Sequence, residues 1–241
     1  MAIPRFYCPG ADFAPGAKII LPEEARHHAG RVLRMRAGDI AALFDGQGHE
    51  CTGPIAFEGK DATIDVQTVT EPAVESPVEI TLVQALVSPE KMDWIVEKAV
   101  ETGVSHIVVV PALRSMTKLS GERLGKRIAH WESVIVSACS QSGRTHVPDI
   151  VFVTFAQALE LKADARILLA PSAGNPPKLE GARSFVLAVG PEGGFDSTEI
   201  QAAVDAGWQC ALIGPRVLRT ETAGIVAVTL VNAAVGDYRL S

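Results

Sequence analysis

A chain of 241 residues, 47% hydrophobic and 21% charged, has globular composition and enough apolar material for one large or two modest domains. Its net charge of −6 argues against indiscriminate polyanion binding, because non-specific nucleic-acid affinity comes chiefly from lysines and arginines on phosphates. The start, Met1 to Arg5, lacks the apolar stretch of a signal peptide, and no run reaches the roughly 18 apolar residues of a membrane span; a cytoplasmic protein is expected.

The first seventy residues read as short strands with turn punctuation: Asp39 to Phe44, Glu50 to Phe57 and Ala62 to Val69, separated by Asp45-Gly46-Gln47-Gly48 and Glu58-Gly59-Lys60-Asp61. That pattern predicts a small β-barrel. One helix is expected to interrupt it, from about Pro22 to Leu33, with Ala25, Ala29, Val32 and Leu33 on its apolar side. On another side His27, Arg31 and Arg34 follow at i, i+4 and i+7, a basic stripe on a packed element. Residues 1 to 72 are net acidic, so any polyanion site there has to be local. Gly16 to Gly38 does concentrate Lys18, Arg26, Arg31, Arg34 and Arg36 against Glu23 and Glu24, and Arg114 to Arg144 is a second basic stretch. From charge alone, each reads equally as a solvated face.

Glu71 to Pro77, with two prolines and no apolar period, reads as a linker and puts the boundary between residues 72 and 73. Beyond it, apolar runs alternate with helical patterns: Ile80 to Val87, His106 to Pro111, Ile150 to Val153, Arg166 to Pro171, Phe185 to Gly190 and Cys210 to Gly214. This is an α/β reading. Helices are predicted over Glu90 to Thr102, about Ser120 to Ser142, and from Asp196, which with Glu199 has capping-box spacing, to Gly207. Lys98 and Glu101 are spaced as an ion pair on the first of these. The last helix, Glu221 to about Val235, is apolar all round, which predicts burial in the fold or against a second subunit. Cys8, Cys51, Cys139 and Cys210 are far apart, with no C-x-x-C pair or zinc spacing, so neither disulfides nor a metal site is expected.

Two segments carry the chemistry. Gly190-Pro191-Glu192-Gly193-Gly194-Phe195 follows a strand and precedes a capped helix, where glycines let backbone approach a ligand and where α/β sheets usually bind one. It is neither the dinucleotide fingerprint nor a P-loop. Ile213-Gly214-Pro215-Arg216-Val217-Leu218-Arg219-Thr220-Glu221 again joins a strand to a helix, and Thr220 is placed to cap that helix. Taken singly, the first could be a tight connection and the second a pair of exposed arginines before a helix start.

Together, the Gly-Pro-Glu-Gly-Gly and Gly-Pro-Arg-Val-Leu-Arg-Thr-Glu-Thr-Ala segments resemble the C-terminal signature of the 16S ribosomal RNA uridine-N3 methyltransferase family, within the SPOUT superfamily. The resemblance extends over nearly the whole chain, through Lys91 to Val104, Arg114-Ser115, Gln141-Ser142-Gly143-Arg144, and His28 with Val32-Leu33-Arg34 and Gly38-Asp39. The chain departs from the family at Thr102, where leucine is frequent, and at Ser140, where glutamate is frequent.

The resemblance implies a SPOUT-type parallel sheet with a deep trefoil knot, a small N-terminal PUA-like β-barrel, and a homodimer. It implies S-adenosylmethionine among three loops, with Leu169, Pro171, Gly190, Glu192, Gly193, Leu212, Ile213, Gly214, Leu218 and Thr220 as cofactor-binding candidates. The implied partner is 16S ribosomal RNA, within the assembled small subunit.

Methylation at uridine N3 requires loss of the imide proton. Arg219 or Arg216 is a candidate to stabilise the developing negative charge, and Glu192 or Glu221 to accept the proton. Glu192 could instead hydrogen-bond the cofactor or hold its loop. Arg5, His28, Arg31, Arg34, Arg114 and Arg144 are candidates for RNA contact; Arg114 and Arg144 could equally frame the active site, and His28 could equally be a core histidine. Two other functions fit the same residues: a catalytically idle RNA-binding or ribosome-assembly factor, and a SPOUT methyltransferase acting on another RNA position.

Overall fold

The computed structural model describes residues 3–239. They cluster into two compact units, 3–75 with 139–147, and 76–138 with 148–239.

In the first unit β1 (Arg5–Tyr7), β2 (Lys18–Ile20), β3 (Ile40–Phe44), β4 (Glu50–Glu58), β5 (Asp61–Asp65) and β6 (Thr68–Thr70) form one sheet, ordered β1-β3-β4-β5-β2 with β6 on β4. The long β4 alternates buried and half-buried residues, pairing antiparallel with β3 through Glu50 to Pro54 and with β5 through Ile55 to Glu58. That change of partner needs Gly53, because a β-carbon there would overlap the Asp65 carbonyl. Phe6, Leu21, Leu43, Ile55 and Ile64 fill the core, each worth roughly 1.5–3 kcal/mol when fully buried. The three-residue β1 and β2 are too short to show alternation and escape a sequence reading. The strand expected over 62 to 69 is two, broken where the Val66 and Gln67 amides donate to Ala17 and Thr52.

The helix expected from Pro22 to Leu33 needs correction. Only α1 (Glu23–His27) is α-helical; His28–Val32 is a π turn, with Leu33 N–H donating to His28 C=O at 2.9 Å. The wider turn rotates later residues off the expected face. Ala29 is buried, but Val32 is 60% and Leu33 44% exposed. Arg34 lies past the turn with φ of 53°, a left-handed conformation costly for a side chain, so His27, Arg31 and Arg34 do not form one helical stripe.

The second unit is a six-stranded parallel sheet of β7 (Glu79–Ala85), β8 (His106–Val110), β9 (Asp149–Phe152), β10 (Ala165–Leu169), β11 (Ser184–Val189) and β12 (Gln209–Ala211), ordered β12-β10-β11-β7-β8-β9. Near-continuous apolar strands are what a sheet covered on both faces requires. Its helices are α2 (Pro89–Glu101), α3 (Gly121–Ser142), α4 (Phe155–Leu159), α5 (Ser197–Asp205) and α6 (Thr220–Val235), with α2 and α6 packed together. The Asp196–Glu199 capping box forms at α5. The short α4 starts with a second box, Thr154 and Gln157, a signal legible in the sequence but not used.

Within this chain α6 is buried on one side only. Gly224, Ala227, Val228, Val231 and Asn232 are buried, while Leu230 is 40% exposed. Asn232 donates to the Thr102 carbonyl at 2.7 Å and accepts from Ser76 Oγ at 2.6 Å, which compensates its burial and ties α6 to the end of α2. Thr102 itself donates its hydroxyl back to Lys98, whose ammonium pairs with Glu101 as its spacing predicts.

Candidate active site

The sheet order reverses between β7 and β11, and the carboxyl ends of β10, β11 and β12 open onto a cavity of about 360 Å³, within the usual range of small-molecule sites. Leu169 and Pro171 line it from the end of β10, Gly190 and Glu192 from the end of β11, and Leu212, Ile213 and Leu218 from the segment after β12. Its walls are largely apolar side chains and loop backbone. Gly190 is required there, because a β-carbon would sit 2.8 Å from the Phe195 amide nitrogen. Thr220 also lines the cavity, but it does not cap α6. Arg219 is the N-cap residue, without a side-chain cap bond, and the buried Thr220 hydroxyl donates to the Gly190 carbonyl at 2.6 Å.

Two predicted positions fall elsewhere. Gly193 turns away, toward the Arg114 side chain, and Gly214 lines a neighbouring groove with Asn175 and Leu230. Glycine-rich sequence locates the loop without saying which of its α-carbons faces inward.

Arg216, Arg219, Glu192 and Glu221 all line the cavity. Arg219 is 80% exposed, its guanidinium 4.0 Å from Glu221 Oε1. Lys91, in the first turn of α2, completes the charge cluster: its ammonium lies 2.8 Å from Glu192 Oε1 and 3.6 Å from Glu221 Oε2. Site reasoning missed Lys91, although a cation placed just beyond the carboxyl end of β7 was a usable signal. Its hydrogen bond holds the Glu192 carboxyl below the ordinary glutamate range. A raised proton affinity, which would suit a base, is therefore not found at Glu192. Glu221 Oε2 is buried beside the Lys91 ammonium and has no hydrogen-bond partner among the described residues.

Residues 74–232 match the family model described as an RNA methyltransferase domain, and residues 21–64 match the RNA methyltransferase PUA domain. The ribosomal RNA small subunit methyltransferase E of Buchnera aphidicola is 30% identical, covering 98% of this chain and 96% of its own length. The chain belongs to the ribosomal RNA small subunit methyltransferase E family. Two solved structures share its fold over 99% of this chain and 100% of theirs. One, the Neisseria gonorrhoeae member of that family bound to S-adenosylmethionine, has a TM-score of 0.91 at 32% identity. The other is a Legionella pneumophila methyltransferase with S-adenosylmethionine bound, with a TM-score of 0.90 at 34% identity. The parallel sheet and PUA-like N-terminal unit expected from the resemblance are thus borne out.

Among the arginines expected to meet RNA in this methyltransferase, two belong to the packing of the first unit. Arg5 is 12% exposed in its side chain; it pairs with Glu50 at 2.7 Å, lies over the Phe44 ring, and donates to the carbonyls of Cys139, Ser140 and Arg144. Arg144, 8% exposed, is bound by Glu75 at 2.7 Å. Burial alone would push the Glu75 carboxyl up; the Arg144 hydrogen bond and charge, with the Thr145 and His146 amides, hold it below its ordinary value. These guanidiniums are committed to protein acceptors. His28 is exposed, edge-on to Phe6, so it is not a core histidine. Arg31 and Arg34 are exposed. Arg114, in the second unit, holds the glycine-rich loop, donating to Gly193 C=O at 3.1 Å and to Asp196 at 2.9 Å. Hydrogen bonds from Thr198 and from Arg114 bring Asp196 down to about 2.

Proposed function

We propose that the protein transfers a methyl group from S-adenosylmethionine to N3 of a specific uridine in 16S ribosomal RNA. The carrying observation is the cavity at the sheet's carboxyl end, where both signature segments meet under Arg219, Arg216 and Glu221. Relatives of the same fold bind S-adenosylmethionine, and the residues here suit it: a largely apolar wall for a flat base and ribose, to which Leu169, Val189, Ile213 and Leu218 contribute. When bound, the cofactor supplies the methyl group.

The chain's own residues supply the rest. Uridine N3 lies on the pairing edge, so the target base has to be unpaired or flipped to reach the cavity mouth. Glu221 Oε2, buried and with no hydrogen-bond partner among the described residues, is the acceptor for the N3 proton; Glu192, held ionised by Lys91, keeps its loop in place. Arg219, with Arg216 beside it, stabilises the negative charge that develops on the base. Arg31, Arg34 and His28 on the first unit engage the RNA, which makes residues 1–72 the RNA-binding domain and 73–241 the methyltransferase domain. The reading extends to a trefoil-knotted second domain, a homodimer, the assembled small subunit as substrate, and the cytoplasm; among the described residues no helix is long and apolar enough to cross a membrane.

The test is transfer of labelled methyl to small subunits and to free 16S rRNA, both from cells lacking the enzyme. Labelling of subunits well above free rRNA is the expected result. No labelling of either would support the idle assembly factor instead.

A further inference from the structure

The second unit contains a buried polar chain that neither the motifs nor the charge cluster accounts for. Gln84, at the carboxyl end of β7, is fully buried. Its Nε2 donates to the Ala85 carbonyl at 3.0 Å and to Thr220 Oγ1 at 3.0 Å, and Thr220 Oγ1 donates in turn to the Gly190 carbonyl at 2.6 Å. Gln84 Oε1 has no hydrogen-bond partner among the described residues, which is costly at a fully buried site that an apolar side chain of similar volume could occupy. A polar residue retained under that cost needs a compensating role.

A hydroxyl has one proton. The Gln84 amide, being a donor, occupies a lone pair of Thr220 Oγ1 and leaves the proton only one partner, the Gly190 carbonyl. Gly190 is the point where β11 turns into the glycine-rich loop, and Thr220 is the first residue of α6, directly after the arginine segment. One fully directed hydroxyl therefore joins two loops that line the cavity, and β7 sets its direction. We propose that Gln84 is a positioning residue that fixes the spacing of the two cofactor loops through Thr220 and Gly190, and so sets the affinity for S-adenosylmethionine. The proposal rests on reading the cavity as the cofactor site.

The test is calorimetric titration of S-adenosylmethionine into wild type, Gln84→Leu, Thr220→Val, Thr220→Ser and the Gln84→Leu/Thr220→Val double variant, each with its thermal unfolding recorded. Gln84→Leu and Thr220→Val are each expected to weaken cofactor binding about tenfold, the scale of one buried hydrogen bond left unmade. The double variant should be little worse than Thr220→Val alone, since both changes break one chain. Thr220→Ser, which keeps the hydroxyl, should bind like wild type. KM for the cofactor should rise with the dissociation constant while RNA affinity stays constant. Wild-type affinity in folded Gln84→Leu, or full additivity in the double variant, would overturn the inference. If Gln84→Leu does not fold, Thr220→Val against Thr220→Ser decides it: equal affinities refute the chain. No binding by wild type would instead refute the cofactor reading.

Discussion

Arg5 and Arg144 in the interior of the first unit, and Arg31 and Arg34 on its surface, are the same residue type in opposite circumstances. Arg144 lies in the second basic stretch that the sequence reading picks out, as Arg31 and Arg34 lie in the first. The folded chain separates them by what each guanidinium already touches. Arg144 is neutralised by Glu75 and Arg5 by Glu50, with carbonyl oxygens completing the donor set of Arg5. Arg31 and Arg34 keep their charge turned to solvent. A basic cluster therefore measures available charge only after subtraction of the members that hold the fold together.

The largest expected effect sharpens this contrast. Arg144→Ala leaves the Glu75 carboxylate largely buried without its ion-pair partner and should destabilise the protein by about 3–5 kcal/mol in urea unfolding. The salt dependence of RNA binding by the folded fraction should not change. A second variant carries the contrast into the other unit, where Arg219 is 80% exposed. Arg219→Ala should leave the melting temperature near wild type and slow single-turnover methylation by about 10²-fold or more. Equal loss of stability and rate would place Arg219 with the structural arginines.

Smaller still is the effect of Arg31→Ala with Arg34→Ala. RNA affinity should fall and its log-log slope against salt should flatten by up to about 0.9 per lost phosphate contact, less on single strands, with cofactor affinity intact. An unchanged slope would mean that the pair is a solvated face. The smallest effect is read against pH. Because the folded Glu75 carboxyl is held below its ordinary value, the stability it contributes is complete above about pH 4.3 and is lost as pH falls through the folded value. The stability gap between wild type and Glu75→Gln should thus be widest near neutrality and narrow in acid. A gap that widens in acid would reverse the sign of the shift.

Legibility in the sequence followed the physics of each element. The parallel sheet was readable because strands such as Phe185 to Val189 are apolar throughout and alternate with helices of clear period, as in Met92, Ile95, Val96 and Ala99. The first unit was readable only where strands are long. Nothing local marks a π turn, so the phase shift that exposes Val32 and Leu33 could not be seen, nor could the placement of residues 139–147 with the first unit, which depends on long-range bonds from Arg5 to the Cys139 carbonyl and from the Thr145 amide to Glu75. At the site, backbone-bearing loops were found from their glycines. Lys91 and Gln84 were not: neither carries a spacing signal, and Lys91 is marked only by its place just beyond the carboxyl end of β7.

The central claim concerns which atom is methylated. Small-subunit RNA treated with the enzyme and S-adenosylmethionine, digested to nucleosides and resolved by mass spectrometry against standards, reads it directly. The account predicts one new 3-methyluridine per RNA, abolished or strongly reduced with Arg219→Ala. A methyl group on a ribose hydroxyl or on another base position would contradict it.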